Sequence, residues 1–458
     1  MNYEKFRAHP IFILRNSRFL GFLIVFLLFR NGGKDSFMYI LLLTALLAFR
    51  YKCFELSINK KEIYIRTGFL FVRRSVIPIK QISTVEILRS PTDRIFSSVS
   101  VKISTEATTR SSNFRFALIK RDTERLLQCL DISFGGKETG FSFKQVFVYA
   151  MAQSSVVNGI LLTLPILNKA GALVGAELSK LVISEIDNIG NGLPYYSPVV
   201  NTLSLASLFF YLCALIFYVL VNLKFSITCG KENIKTAYGV LTHRSVYISR
   251  SLIGGYMSVQ TPLMILFARS FLKADVAHTK KNVGKNVLLA PAVEWRALEK
   301  QFEHRVLSKE NYLRTSPNDY YRFFKVPFLI FSFATLTAIT LTQKGLAFRQ
   351  VFLFFYCICL GYTLLRTIYA AHNCRKNKIY FGKDVLVHGS KGYELYDAHF
   401  FADKIGCIKI LRFPLDKKNK TCSAKITLRT GNASSAKAKF VSYDNLINKI
   451  NSVYNLRE

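Results

Sequence analysis

Seven histidines could serve as bases or metal ligands: His9, His243, His278, His304, His372, His388 and His399. None stands in an HExxH pair, and none has a cysteine at zinc spacing, so neither a metalloprotease helix nor a zinc site is written here. His372-Asn-Cys374 falls where an apolar helix is expected to end, and reads as a polar end at an interface. Among nine cysteines, Cys357 and Cys359 form a C-x-C inside an apolar run. Two residues apart on a helix they point to different faces, so they read as small buried residues. No CxxC occurs, and no disulfide framework is implied. Gly171, Gly175, Gly190 and Gly192 lie in an expected loop with no Gly-Lys-Ser behind them, so no phosphate loop is present. No serine or cysteine has a base in nucleophile context. An ion-coupled transporter would place ionisable residues in mid-span; Arg366 alone comes near, at a helix end. The chain is therefore expected to be no enzyme and to carry no catalytic residue, metal or cofactor.

What remains is positive charge. The chain has 63 Lys plus Arg against 28 Asp plus Glu, a net +35, while half of its residues are apolar. Soluble proteins seldom combine these, and membrane proteins with basic cytoplasmic parts do so naturally. A nucleic-acid binder would be basic but would not need the apolar runs, so no nucleic-acid partner is expected. Lys60, Lys61, Arg73, Arg74, Lys80, Arg89, Arg94 and Lys102 crowd one stretch. Arg244, Arg250, Lys273, Lys280, Lys281 and Lys285 crowd a second, and Lys417, Lys418 and Lys420 a third. Arg73, Arg74 and Lys80 are the candidate contacts to anionic lipid, where each basic group near the surface is worth about 1 kcal/mol. Ordinary positive-inside bias would leave the same charge pattern.

Three pairs of apolar segments separate these stretches. They are Ile11–Phe29 with Phe37–Phe49, Val146–Leu167 with Val199–Asn222, and Val326–Thr342 with Val351–Ala370. A spanning helix needs about 20 mostly apolar residues. The second pair meets this and the third nearly does. Arg15 and Arg18 interrupt the first, for which a shallow re-entrant hairpin is the alternative. The connection Asn168–Pro198 carries Lys169 and Lys180 against Glu177, Glu185 and Asp187. Being acidic, it is expected outside, with both termini and the basic stretches in the cytoplasm.

The basic stretches repeat. An offset of 171 residues carries Phe54 onto Phe225, Gly68 onto Gly239, Arg73 onto Arg244, Pro91 onto Pro262, Phe96 onto Phe267 and Lys102 onto Lys273. An offset of 323 carries Glu86-Ile-Leu-Arg-Ser-Pro91 onto Lys409-Ile-Leu-Arg-Phe-Pro414. Such a register divides the chain into units. In the first unit, alternation and turn residues predict strands at Phe54–Ile58, Ile63–Arg66, Phe69–Ile79, Ile82–Leu88, Ser98–Ser104 and Asn113–Leu118. Pro78 argues for an edge position. Gly68 and Gly239 are expected at one turn that requires glycine. Helices are expected at Arg121–Leu130, Pro291–Phe302 and Tyr443–Val453, each closing a small barrel or sandwich.

Gly68-Phe-Leu-x-x-Arg-Arg-x-Val-Ile-Pro78, Ser90-Pro91-x-x-Arg94-Ile-Phe and Val99-x-Val-Lys-Ile-Ser together resemble the bacterial pleckstrin-homology-like (PH-like) membrane domain. Three such units, each behind a hairpin, resemble the YdbT-like proteins of that family. The family's turn glycine is replaced by Ser97-Ser98. The third unit is expected to need two inserted residues, and it lacks the Gly-Leu and Ile-Pro signatures. The resemblance implies an α+β membrane protein: three PH-like β-barrel domains, each with a C-terminal helix, alternating with transmembrane helix hairpins. The units are 1–50 (tail and first hairpin), 51–135 (first PH-like domain), 136–223 (second hairpin, with external loop 168–198), 224–307 (second domain), 308–371 (third hairpin) and 372–458 (third domain). The function expected is binding or scaffolding at a bacterial inner membrane. The alternative is an accessory part of a transport, export or resistance system. Expected partners are anionic membrane lipids and a membrane protein such as a YdbS-like relative.

Overall fold

Val85 and Ile87 alternate with Thr84 and Glu86 along one strand, so each face of that strand can join a different core. This alternation, repeated along the chain, decides the architecture. The computed structural model describes residues 4–11, 45, 49, 51–59, 61–67, 72–105, 113–130, 136, 138–174, 177–192, 198–230, 232–276, 287–294, 312–343, 349–382, 384–391, 394–429 and 435–454. The first apolar pair, Ile11–Phe29 and Phe37–Phe49, lies almost wholly outside the described residues.

The strands are β1 (Glu4–Phe6), β2 (Glu55–Ile58), β3 (Glu62–Thr67), β4 (Arg73–Pro78), β5 (Ile82–Arg89), β6 (Ser98–Thr105) and β7 (Asn113–Ile119). Next come β8 (Glu138–Gly140), β9 (Ser226–Cys229), β10 (Asn233–Tyr238), β11 (His243–Ser249), β12 (Ile253–Gln260), β13 (Ser270–Val276) and β14 (Val287–Val293). The last are β15 (Leu313–Arg314), β16 (Lys378–Phe381), β17 (Asp384–Lys391), β18 (Glu394–Phe401), β19 (Ile405–Leu411), β20 (Thr421–Leu428) and β21 (Ser435–Ser442). Three-residue 3-10 turns at Ile79–Gln81, Arg250–Leu252 and Ala402–Lys404 keep the two sequence offsets. An offset of 152 also carries β9 onto β16, so the two inserted residues expected in the third unit are not needed there.

These strands do not close into separate sheets unit by unit. Two seven-stranded sheets run β7-β6-β5-β11-β10-β9-β8 and β14-β13-β12-β18-β17-β16-β15. A four-stranded sheet, β1-β2-β3-β4, and a three-stranded one, β19-β20-β21, stand at the two ends. The later half of one repeat is thus hydrogen-bonded to the earlier half of the next. One core gathers Val85, Val101, Phe116 and Leu118 with Tyr247. Its neighbour takes Val246 and Ile248, the residues flanking Tyr247, together with Ile253 and Leu272. A single strand therefore feeds two cores from its two faces. Each such buried aromatic or aliphatic side chain contributes about 1.5–3 kcal/mol.

Most expected strands are present, and Pro78 does lie on an edge strand. The start of the helix expected at Pro291–Phe302 is corrected, because Pro291 sits inside β14, while residues 295–302 lie outside the described residues. That strand is the last of its sheet, where a missing N–H breaks no ladder bond. The expected single span Val146–Leu167 is also corrected. It is broken into helices Phe143–Gln153 and Val156–Val174, bent by 94°. Ser154 ends the first helix by donating its hydroxyl to the Ala150 carbonyl at 2.6 Å. Ser155 opens the second by accepting from the Asn158 amide at 3.2 Å. The expected loop 168–198 carries a helix, Leu178–Asn191, held on helix Pro198–Asn222 by Asn201 donating to the Gly190 carbonyl. Val200–Asn222 and Pro317–Thr340 are long and apolar enough to cross a membrane, and the bent pair would make a third crossing.

The turn lacking its glycine forms nonetheless. Ser97, Ala268 and Lys420 adopt φ of 51°, 50° and 51°, at the same place in the three repeats. Each amide donates to the carbonyl three residues back, at Arg94, Ile265 and Lys417. A side chain in this left-handed region costs about 1–2 kcal/mol, part of which glycine returns through its freer unfolded chain. Ser97→Gly, Ala268→Gly and Lys420→Gly are each expected to stabilise the protein by about 0.5–1 kcal/mol. Thermal unfolding in detergent checks this, and an unchanged or lower midpoint in all three would contradict it.

Candidate functional site at the helix ends and sheet junctions

The β10–β11 turn abuts the end of helix Pro198–Asn222. Gly239 donates to the Leu223 carbonyl at 2.8 Å, and Val240 to that of Leu220 at 3.2 Å. Gly239 has φ +97° in this turn; its expected counterpart Gly68 lies outside the described residues. Arg94, in the short helix Pro91–Ile95, donates to the Val240 carbonyl at 2.5 Å. This places the tip Ile95-Phe96 beside the helix end. Ile95 is 78% exposed, Phe96 53% and Leu241 42%. The same tip recurs as Leu266 at 74% and Phe267 at 51%, on the short helix Pro262–Leu266, which lies against helix Phe143–Gln153. The third repeat has Lys418-Asn419 at the matching place, so the apolar tip belongs to the first two repeats.

The short helix is set by its cap. In the first repeat the fully buried Asp93 accepts from the Ser90 amide at 3.0 Å and the Ser98 hydroxyl at 2.8 Å. In the second repeat Met264 takes that place and joins the core. In the third, Asp416 accepts from the Phe413 amide at 2.8 Å and pairs with Arg322 at 2.5 Å. Arg322 also pairs with Asp319 at 3.2 Å and stacks on Phe440, which fastens helix Tyr321–Gln343 to the last sheet.

At the first sheet junction, Glu86 is 8% exposed. It meets Arg244 at 2.5 Å and Lys102 at 3.4 Å. Two residues of the basic stretches, Lys102 and Arg244, are thus engaged by a carboxylate at the seam. Burial pulls the ammonium of Lys273 below the usual range, and it lies over the Phe271 ring at 4.6 Å.

The expected lipid contacts are scattered. Arg73 pairs through its backbone with Thr67 in β4, at the open edge of the first sheet. Arg74 is exposed on the same strand, and Lys80 on the 3-10 turn that follows. Lys80 lines a cleft of about 770 Å³ between the first two repeats, with Lys61, Glu62, Glu232, Ser249 and Ser251. Two lysines against two glutamates do not make that cleft an anion trap. Lys280, Lys281 and Lys285 lie outside the described residues.

Sequence reasoning missed Glu86, Asp93 and Asp416, and also the strands β1, β8 and β15 that pair ahead of each apolar segment. The offset alignment already held one signal, for it sets Glu86 against Lys409. It missed two His–Asp pairs as well. His388 pairs with Asp397, and His399 Nε2 lies 3.1 Å from Asp384 Oδ2. No group of three His, Cys, Asp or Glu that could hold a metal occurs among the described residues.

No curated protein matches the chain, and no solved structure does. Residues 11–130 match the family model described as Bacterial PH domain, so the first part of the chain carries a bacterial PH-like domain.

Proposed function

We propose that the chain is a non-enzymatic scaffold seated on the cytoplasmic face of a bacterial inner membrane. In this reading three PH-like modules, 51–135, 224–307 and 372–458, alternate with membrane hairpins and form one continuous array. The observation that carries it is the pair of apolar tips, Ile95-Phe96 and Leu266-Phe267, standing open to water. The first is bonded through Arg94 to the β10–β11 turn, whose amides bond to the end of an apolar helix. Inserted at the headgroup boundary, each tip would bury its side chains at about 25 cal/mol per Å². Arg74 and Lys80 would add Coulomb attraction to anionic lipid, screened beyond about 8 Å at physiological salt.

The test uses tryptophan depth. The chain has one tryptophan, Trp295. In a Trp295→Phe background, Phe96→Trp and Phe267→Trp in liposomes are expected to be quenched by lipids brominated on the upper acyl chain. Val76→Trp, on the edge of β4, should not be. Absence of quenching at both tips would show that they face away from the bilayer, and the reading would fail.

A further inference from the structure

The two seven-stranded sheets are joined in one way. β5 pairs with β11 from His243↔Arg89 to Ile248↔Thr84. β12 pairs with β18 from Gly255↔Phe400 to Gln260↔Leu395. By the sequence offsets these are the same pairing made twice. The third strand of this kind is β19, which among the described residues has β20 on one side and an open backbone edge on the other. The difference shows in exposure. Val85 and Glu86 are buried in β5, and Tyr256, Ser258 and Val259 in β12. In β19, Gly406, Cys407, Lys409 and Leu411 are exposed.

Among the described residues the matching open edge is β4, so a second copy of the chain is the first occupant to weigh. The shared register would set Leu411 opposite Arg73 and Lys409 opposite Ser75. Arg244 answers Glu86 across the first junction, but Arg73, in the place of Arg244, would stand against Lys409. Pro78 in β4 also lacks a donor. Like charges therefore oppose a head-to-tail chain of copies.

The same charge points to another occupant. Lys409, Lys425 and Lys437 lie directly opposite one another across β19, β20 and β21. The matching row in the first repeat is Glu86, Lys102 and Arg115, with the acid at the junction. Like charges directly opposite are destabilising, by roughly 0.2–1 kcal/mol a pair. No carboxylate is paired with any of these three lysines among the described residues. Next along β21, burial and then Lys437 push the Lys439 ammonium below its usual range. One edge lysine is an ordinary guard against aggregation. A row of three, two of them away from that edge, does more than guard it.

We propose that the β19 edge takes an extended strand from a different protein, with a carboxylate where Arg244 sits in the first junction. The incoming strand completes the last sheet by backbone pairing and answers the lysine row, a form of β-strand addition. This goes beyond the membrane reading and does not depend on the orientation of the tips.

The probe is a peptide of residues 242–250 of this chain carrying Arg244→Glu, compared with the unaltered peptide, on the full-length protein in detergent. The acidic peptide is expected to bind about tenfold more tightly, through the opposite charge at the edge. Lys409→Glu in the protein should reverse that preference. Cys407 is exposed and matches Thr84, which faces Ile248. A peptide also carrying Ile248→Cys should therefore form a disulfide with Cys407 under a mild oxidant, and none with a Cys407→Ser protein. Equal binding of the two peptides, or no cross-link at Cys407, overturns the proposal. So does failure of both peptides together with loss of phosphatidylglycerol-vesicle binding in Lys409→Glu, which would make the row a lipid site.

Discussion

Glu86→Gln is expected to destabilise the protein by about 2–3 kcal/mol, just under the roughly 3–5 kcal/mol for breaking a fully buried ion pair. The value sits low because the Arg244 side chain keeps 36% of its surface in water. The glutamate lies at the seam between two repeats, held by Arg244 from one and Lys102 from the other. Neutralising it leaves two cations at the seam with no anion between them. The second junction shows another solution, with Met257 at the place of Glu86 and Tyr396 at that of Arg244. Glu86→Met with Arg244→Tyr is therefore expected to recover most of the loss. Thermal and denaturant unfolding of the three proteins in one detergent measures this. A double variant no more stable than Glu86→Gln would mean that packing, not charge, fixes the seam.

The charge pattern was legible in the sequence, but its use was not. Alternation gave the strands of the first repeat because Ile63, Ile65, Val99 and Val101 each fill a core. Offsets aligned Gly68 with Gly239 without any structure. Neither signal carries which strand lies beside which. The pairing of β5 with β11 joins residues more than 150 positions apart, and a local pattern cannot specify it. For the same reason Lys102 and Arg244 read as surface charge, although Glu86 between them was visible. Ser154-Ser155 could have been read as a helix stop and start. Its apolar flanks, Val146 to Met151 and Val156 to Leu164, outweighed two hydroxyls in a hydropathy window. The helix Leu178–Asn191 was legible, since Leu178, Leu181, Val182, Ile186 and Ile189 keep helical spacing.

Gly239→Ala is expected to cost about 3 kcal/mol, more than an ordinary glycine replacement. Two terms add. The backbone sits at φ +97°, where a side chain is strained. An added Cβ would also lie 2.3 Å from the Thr242 carbonyl oxygen and 2.9 Å from that of Val221. Both neighbours are main chain and cannot rotate away. Relief requires the turn to lift off the helix end, which breaks the bonds from Gly239 to Leu223 and from Val240 to Leu220. Arg94 would then lose the Val240 carbonyl, and the tip at Ile95-Phe96 its anchor. The damage should be local before it is global, seen as faster amide exchange at residues 239–242 and weaker lipid quenching of Phe96→Trp. Gly361→Ala is the control, since nothing lies within 4 Å of its added carbon in helix Arg349–Lys376. It should be neutral or slightly stabilising, because alanine favours a helix interior by about 1 kcal/mol. If Gly239→Ala exchanges and unfolds like the parent protein, the turn does not hold the sheet to the helix. The apolar tip would then need another anchor.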